Sequence, residues 1–136
     1  MDKIDLKLCK MQGRLFELSV QNKLDSNNFI SAFMKSDTAK HLDLEYDRTQ
    51  WAGEEYLLAE LIDTGDYKIG DTLDVEVMYW IGYIYRYWHL LTGESSKDIV
   101  KQAPSKTMET NYYMFHSMDP QMAIEDLKEI YNQSKN

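Results

Sequence analysis

The stretch from Met78 to Gly93 reads Met-Tyr-Trp-Ile-Gly-Tyr-Ile-Tyr-Arg-Tyr-Trp-His-Leu-Leu-Thr-Gly, and it holds four of the chain's ten Tyr and two of its three Trp. At about 100° per residue, Leu73, Val77, Trp80, Ile81, Ile84, Tyr87, Trp88 and Leu91 share one face. Tyr79, Tyr83 and Leu90 widen that face on one side, and Met78 and Tyr85 widen it on the other. A helix apolar around most of its girth belongs at the centre of a fold. The pattern predicts such a helix over about 72–92, closed by Gly93, since glycine takes the left-handed conformation after a helix without penalty. Trp80, Ile84, Trp88 and Leu91 are its expected buried residues. One strip breaks the apolar surface, and it carries Gly82, Arg86 and His89.

Composition sets the frame for that helix. The chain has 136 residues, which predicts one domain over 1–136 with a core large enough to need no covalent staple. Two Pro and six Gly are too few for a turn-rich β fold. The expected fold class is all-α: a single compact multi-helix bundle around the aromatic-rich helix, with no strand of five or more residues. Cys9 is the one cysteine, so no intramolecular disulfide forms. With no apolar signal segment at the start, a cytoplasmic protein is expected. Arg86 and His89 interrupt the longest apolar run, which marks a buried helix rather than a membrane span. The net charge is −8, and no cluster of Lys and Arg is available to neutralise phosphates, so nucleic acid is not an expected partner. The acidity serves solubility or steers a basic partner.

The other elements follow from spacing and caps. Ile4, Leu8, Met11, Leu15 and Leu18 form a heptad seam on a first helix over about 2–22. The seam packs on the chain's own core or on a second copy. Asp25 and Ser36 are caps for two short helices that follow. Asp43 to Arg48 is a polar connection anchored by Tyr46. Thr49 caps a helix over 50–62 with Trp51, Leu58, Leu61 and Ile62 facing inward. Glu54 and Glu55 flank that inner face near the helix start, where the macrodipole favours negative charge. Asp63 to Asp71 is a loop with at most a short extended piece at Tyr67 to Ile69. Ser95 caps a helix ending before Pro104, a second runs over about 105–117, and Asp119-Pro120 opens the last. The tail from Asn132 to Asn136 is expected to fray.

Catalytic signatures are missing. There is no Gly-rich phosphate loop, no HExxH pair, no CxxC pair and no Gly-x-Ser-x-Gly elbow. His41, His89 and His116 form no ligand pair at helical spacing, and the Asp-rich loop lacks the alternation that calcium needs. No catalytic residue, cofactor or metal is therefore expected. Cys9, beside an apolar seam, reads as an inert thiol. The constellation that remains is Arg86 and His89, one turn apart, beside Tyr79 and Tyr83. A buried guanidinium keeps its charge and must find an acceptor, and Glu54 and Glu55 are the first candidates. The alternatives are a structural salt bridge, a polar pocket walled by Tyr83, Arg86, His89 and Trp51, or the anchor patch of an interface.

Phe29 to Leu42, Tyr46 to Leu58, Met78 to Glu94, Phe115 to Pro120 and Ala123 to Leu127 together resemble a family of short uncharacterised all-helical proteins of gut Gram-positive bacteria. Their genes often lie beside ADP-ribosyltransferase-like toxin genes in small toxin–antitoxin cassettes. The resemblance covers most of the chain from Asn27 to Tyr131. It implies an antitoxin-type protein, not an enzyme, that binds and neutralises a toxin, and it assigns no residue roles. Partner contacts are then expected from Tyr79, Tyr83, Arg86, His89, Trp51, Glu54 and Glu55. The competing expectation is a small-ligand-binding protein or enzyme with its pocket near Tyr83, Arg86, His89 and Trp51. A third is a homo-oligomer formed through the first helix.

Overall fold

A computed structural model describes residues 1–135, and within them the backbone forms eight α-helices and one 3-10 turn. In chain order they are α1 (Lys3–Gln21), α2 (Ser26–Met34), α3 (Asp37–Leu42), the 3-10 turn (Arg48–Trp51), α4 (Glu54–Thr64), α5 (Val75–Thr92), α6 (Ser96–Gln102), α7 (Ser105–Phe115) and α8 (Pro120–Ser134). The bundle is all-α, and the single β-type contact among the described residues is an isolated antiparallel bridge between Leu24 and Ile69.

Side-chain caps open most of these helices. Asp2, Asp25, Ser36, Ser95 and Asp119 each accept a hydrogen bond from a backbone N–H in the first turn of the helix that follows. Gly93 closes α5 in the left-handed conformation, at φ 77°. α8 runs on to Ser134, so helix extends into the tail that begins at Asn132, and Asn136 lies outside the described residues.

α5 is the axis, and α1 is its principal partner. Leu8, Met11, Leu15 and Phe16 of α1 are buried within the chain, so the seam packs internally except at Ile4, which is 51% exposed. The two helices meet closely because glycine occupies the contact. A Cβ at Gly82 would lie 2.6 Å from the Gln12 carbonyl oxygen, and one at Gly13 would lie 2.7 Å from the Tyr79 ring. Phe16 then meets Phe29 and Phe33 edge-on, with ring centroids 5.2 and 5.4 Å away, which joins α2 to the same core. α6, α7 and α8 also pack on α5.

Three expectations are corrected. α5 starts at Val75, not near Thr72, because the preceding segment is tied to the start of α2. There Lys68 and Asp71 carbonyls accept from the Asp25 and Ser26 N–H groups, and the Leu73 N–H donates to Ser26 Oγ. α4 begins at Glu54, because Gly53 at φ 84° separates it from the 3-10 turn. Trp51 and Ile62 are consequently exposed, while Leu57, Leu58 and Leu61 make the inner face. Tyr46 is no anchor: it sits at φ 62° with 87% of its surface exposed.

Candidate functional site

Arg86 is the most completely enclosed charge described, at 1% exposure. It pairs with a carboxylate, as a buried guanidinium must, but the carboxylate is Asp43 and not Glu54 or Glu55. Nη1 donates to Asp43 Oδ1 at 2.7 Å, Nε donates to Gln12 Oε1 at 2.9 Å, and Nη2 donates to Ser96 Oγ at 3.3 Å. Gln12 in turn donates to the Gly82 carbonyl at 3.0 Å. Asp43 accepts from both the backbone N–H and the hydroxyl of Ser96, at 2.8 and 2.7 Å. Burial lowers the Arg86 pKa, and the Asp43 carboxylate opposes that shift.

His89 completes the strip. Its Nδ1 lies 2.6 Å from the Glu94 carbonyl oxygen and 3.6 Å from Asp43 Oδ1. A carbonyl only accepts, so Nδ1 carries the proton. Every buried side-chain nitrogen and oxygen among the described residues has a hydrogen-bond partner. Each of the three Arg86 nitrogens therefore has an acceptor. The Arg86 centre joins α1, α5, the end of α3 and the start of α6.

The expected site residues do not come together in one place. Arg86 and His89 belong to the buried centre. Glu54 holds Arg14 in a surface ion pair at 2.8 Å, and Glu55 is exposed. Trp51, 68% exposed, stands at the rim of surface clefts. His89 and Trp51 line one cleft of about 420 Å³, but Tyr83 and Arg86 do not line it, so the four expected pocket residues do not share one cavity. Around Trp51 the same cleft carries Ile4, Leu44 and Tyr46, at 51%, 50% and 87% exposure, and an adjoining cleft carries Tyr56.

Tyr79 and Tyr83 stand elsewhere. With Tyr87 they form a ladder along α5, ring centroids 6.1 and 6.2 Å apart at interplanar angles of 29°. Tyr79 and Tyr83 line an open groove of about 580 Å³ together with Trp80, Tyr112 and His116. Tyr112 meets Trp80 edge-on at 5.7 Å and stacks on His116 at 4.4 Å. Glu17 and Glu76 supply carboxylates to the lining. The helical period places Tyr79 and Tyr83 on one strip, but nothing local to α5 shows that α7 brings Tyr112 and His116 opposite them.

Cys9 is fully buried, and burial pushes its thiol up to about 12, which leaves it protonated and unreactive. No group of three or more His, Cys, Asp or Glu among the described residues is placed to hold a metal ion. No described helix is long and apolar enough to cross a membrane. Comparison with protein-family models, with curated proteins and with solved structures finds no match to this chain.

Proposed function

We propose that this chain is a non-catalytic, antitoxin-type protein that silences a toxin enzyme by covering it. The supporting observation is the exposed aromatic crest around Trp51, with Tyr46, Tyr56, Leu44 and Ile4 beside it. Contiguous exposed apolar side chains mark interaction surfaces, and Trp and Tyr supply much of the binding energy at such surfaces. The net charge of −8 favours attraction of a basic partner. The resemblance to proteins encoded beside ADP-ribosyltransferase-like toxins supplies the class of partner.

The test uses the full chain as bait in its native host, beside a Trp51→Ala variant. The expected result is a stoichiometric protein retained by the wild type and lost by the variant, whose melting temperature stays at the parent value. Co-expression with the chain should also restore growth to cells producing that protein. Recovery of no stoichiometric partner, or equal capture by both baits, overturns the proposal.

A further inference from the structure

We propose that the groove between α1, α5 and α7 binds a small organic cation: a methylated ammonium carried on an apolar body. This site shares no residue with the Trp51 crest and does not depend on the antitoxin reading.

The first support is shape. At about 580 Å³ the groove falls within the range of small-molecule sites, and its walls are chiefly apolar and aromatic. The second is the character of those walls. Tyr79 and Tyr83 line it as a stacked pair, and Trp80 with Tyr112 as an edge-on pair. Aromatic faces carry negative quadrupole charge and attract cations, best of all those weakly hydrated enough to leave water, as methylated ammonium groups are.

The third support is charge. Two carboxylates line the groove, Glu17 and Glu76, His116 is the one basic side chain among its lining residues, and no Lys or Arg lines it. Their field reaches the rings. The Tyr112 phenol is pushed up by burial and then by Glu76, Tyr113 and Asp74. The Tyr79 phenol is pushed up by burial, with Arg14 opposing and Glu17 adding to the rise. The aromatic rings and the two carboxylates thus line one groove. Two carboxylates against apolar walls suit a bulky monocation better than a metal ion, which demands several oxygen ligands. Trp80, Ile84 and Met118 leave apolar surface for the rest of the ligand.

The test titrates the intact protein with acetylcholine and, separately, with 3,3-dimethylbutyl acetate, the neutral ester in which carbon replaces nitrogen. Proton NMR follows the methyl resonance of each. Ring currents should move the acetylcholine N-methyl signal upfield, and the neutral ester should bind about tenfold more weakly. Tyr83→Phe keeps the ring and should keep the affinity, whereas Tyr83→Leu should lose most of it. Glu76→Gln, on an exposed side chain, should weaken acetylcholine severalfold without altering the circular dichroism or the affinity for the neutral ester. No upfield shift at millimolar acetylcholine overturns the proposal. So does equal binding of the two esters, or a folded Glu76→Gln variant with unchanged affinity for the cation.

Discussion

Arg86 shows how far a single side chain constrains its surroundings. Its charge survives burial, so every N–H it carries into the core demands an acceptor. Gln12 on α1, Asp43 at the end of α3 and Ser96 at the start of α6 each accept one. Removing one member of a buried pair strands the other, at a cost of about 3–5 kcal/mol. Arg86→Met should therefore destabilise strongly in urea denaturation, and adding Asp43→Asn should recover part of the loss. Glu54→Gln should change stability little, since the Arg14–Glu54 pair is a surface one. Equal losses from Asp43→Asn and Glu54→Gln, each made alone, would show that Asp43 is not the partner that matters. Cys9 makes the opposite case. It should resist alkylation in the native protein, because a protonated thiol at 0% exposure is neither reactive nor reachable.

At the scale of elements, the α1–α5 contact depends on what is missing from it. Gly82 lies under Gln12 and Phe16, and backbone oxygen at 2.6 Å leaves no room for a methyl group. Alanine raises helix propensity, yet overpacking costs about 1–3 kcal/mol and should win here. Gly82→Ala is expected to lower the melting temperature, and a rise would mean that the two helices are not in this register. Trp88 tests the other side of α5. It is fully buried, and its indole N–H donates to Glu94 Oε1 at 3.0 Å. Trp88→Ala should cost about 3–5 kcal/mol, measured by chemical denaturation. Trp80 and Ile84 are buried with it, but Leu91 is 40% exposed, one residue before α5 ends at Thr92.

For the whole molecule, Glu94 ties three helices together. Its carboxylate accepts from Trp88 of α5, Gln102 of α6 and Lys128 of α8. Burial works to raise its pKa, but these hydrogen bonds, that from Lys128 foremost, hold the carboxyl at about 2 instead of the ordinary 4.5. The folded value lies below the unfolded one, so protonation favours unfolding. The stability that Glu94 contributes is present above about pH 4.5 and is lost as pH falls toward 2. Melting temperatures measured across that interval should drop less steeply for Glu94→Gln than for the wild type. Parallel curves would mean that the three helices are not joined through this carboxylate.

Local pattern was enough to establish the helices, most of their caps and the central place of α5. Apolar periodicity, a capping side chain and a terminal glycine all act within one or two turns, so each is written in adjacent residues. The start of α4 departs from the expected cap at Thr49: Gly53 at φ 84° breaks the backbone there, and Glu54 and Glu55 then form the acidic first turn. Periodicity likewise identified Arg86 as a charge that must be paired. It could not identify Asp43, which is 43 residues distant in the chain, nor bring Tyr112 and His116 across from Tyr79 and Tyr83. Those juxtapositions depend on how far each connection lets a helix turn and slide before side chains interlock. The close approach at Gly13 and Gly82, and the tie between the 68–73 segment and α2, set that geometry, and both are contacts between residues remote in sequence.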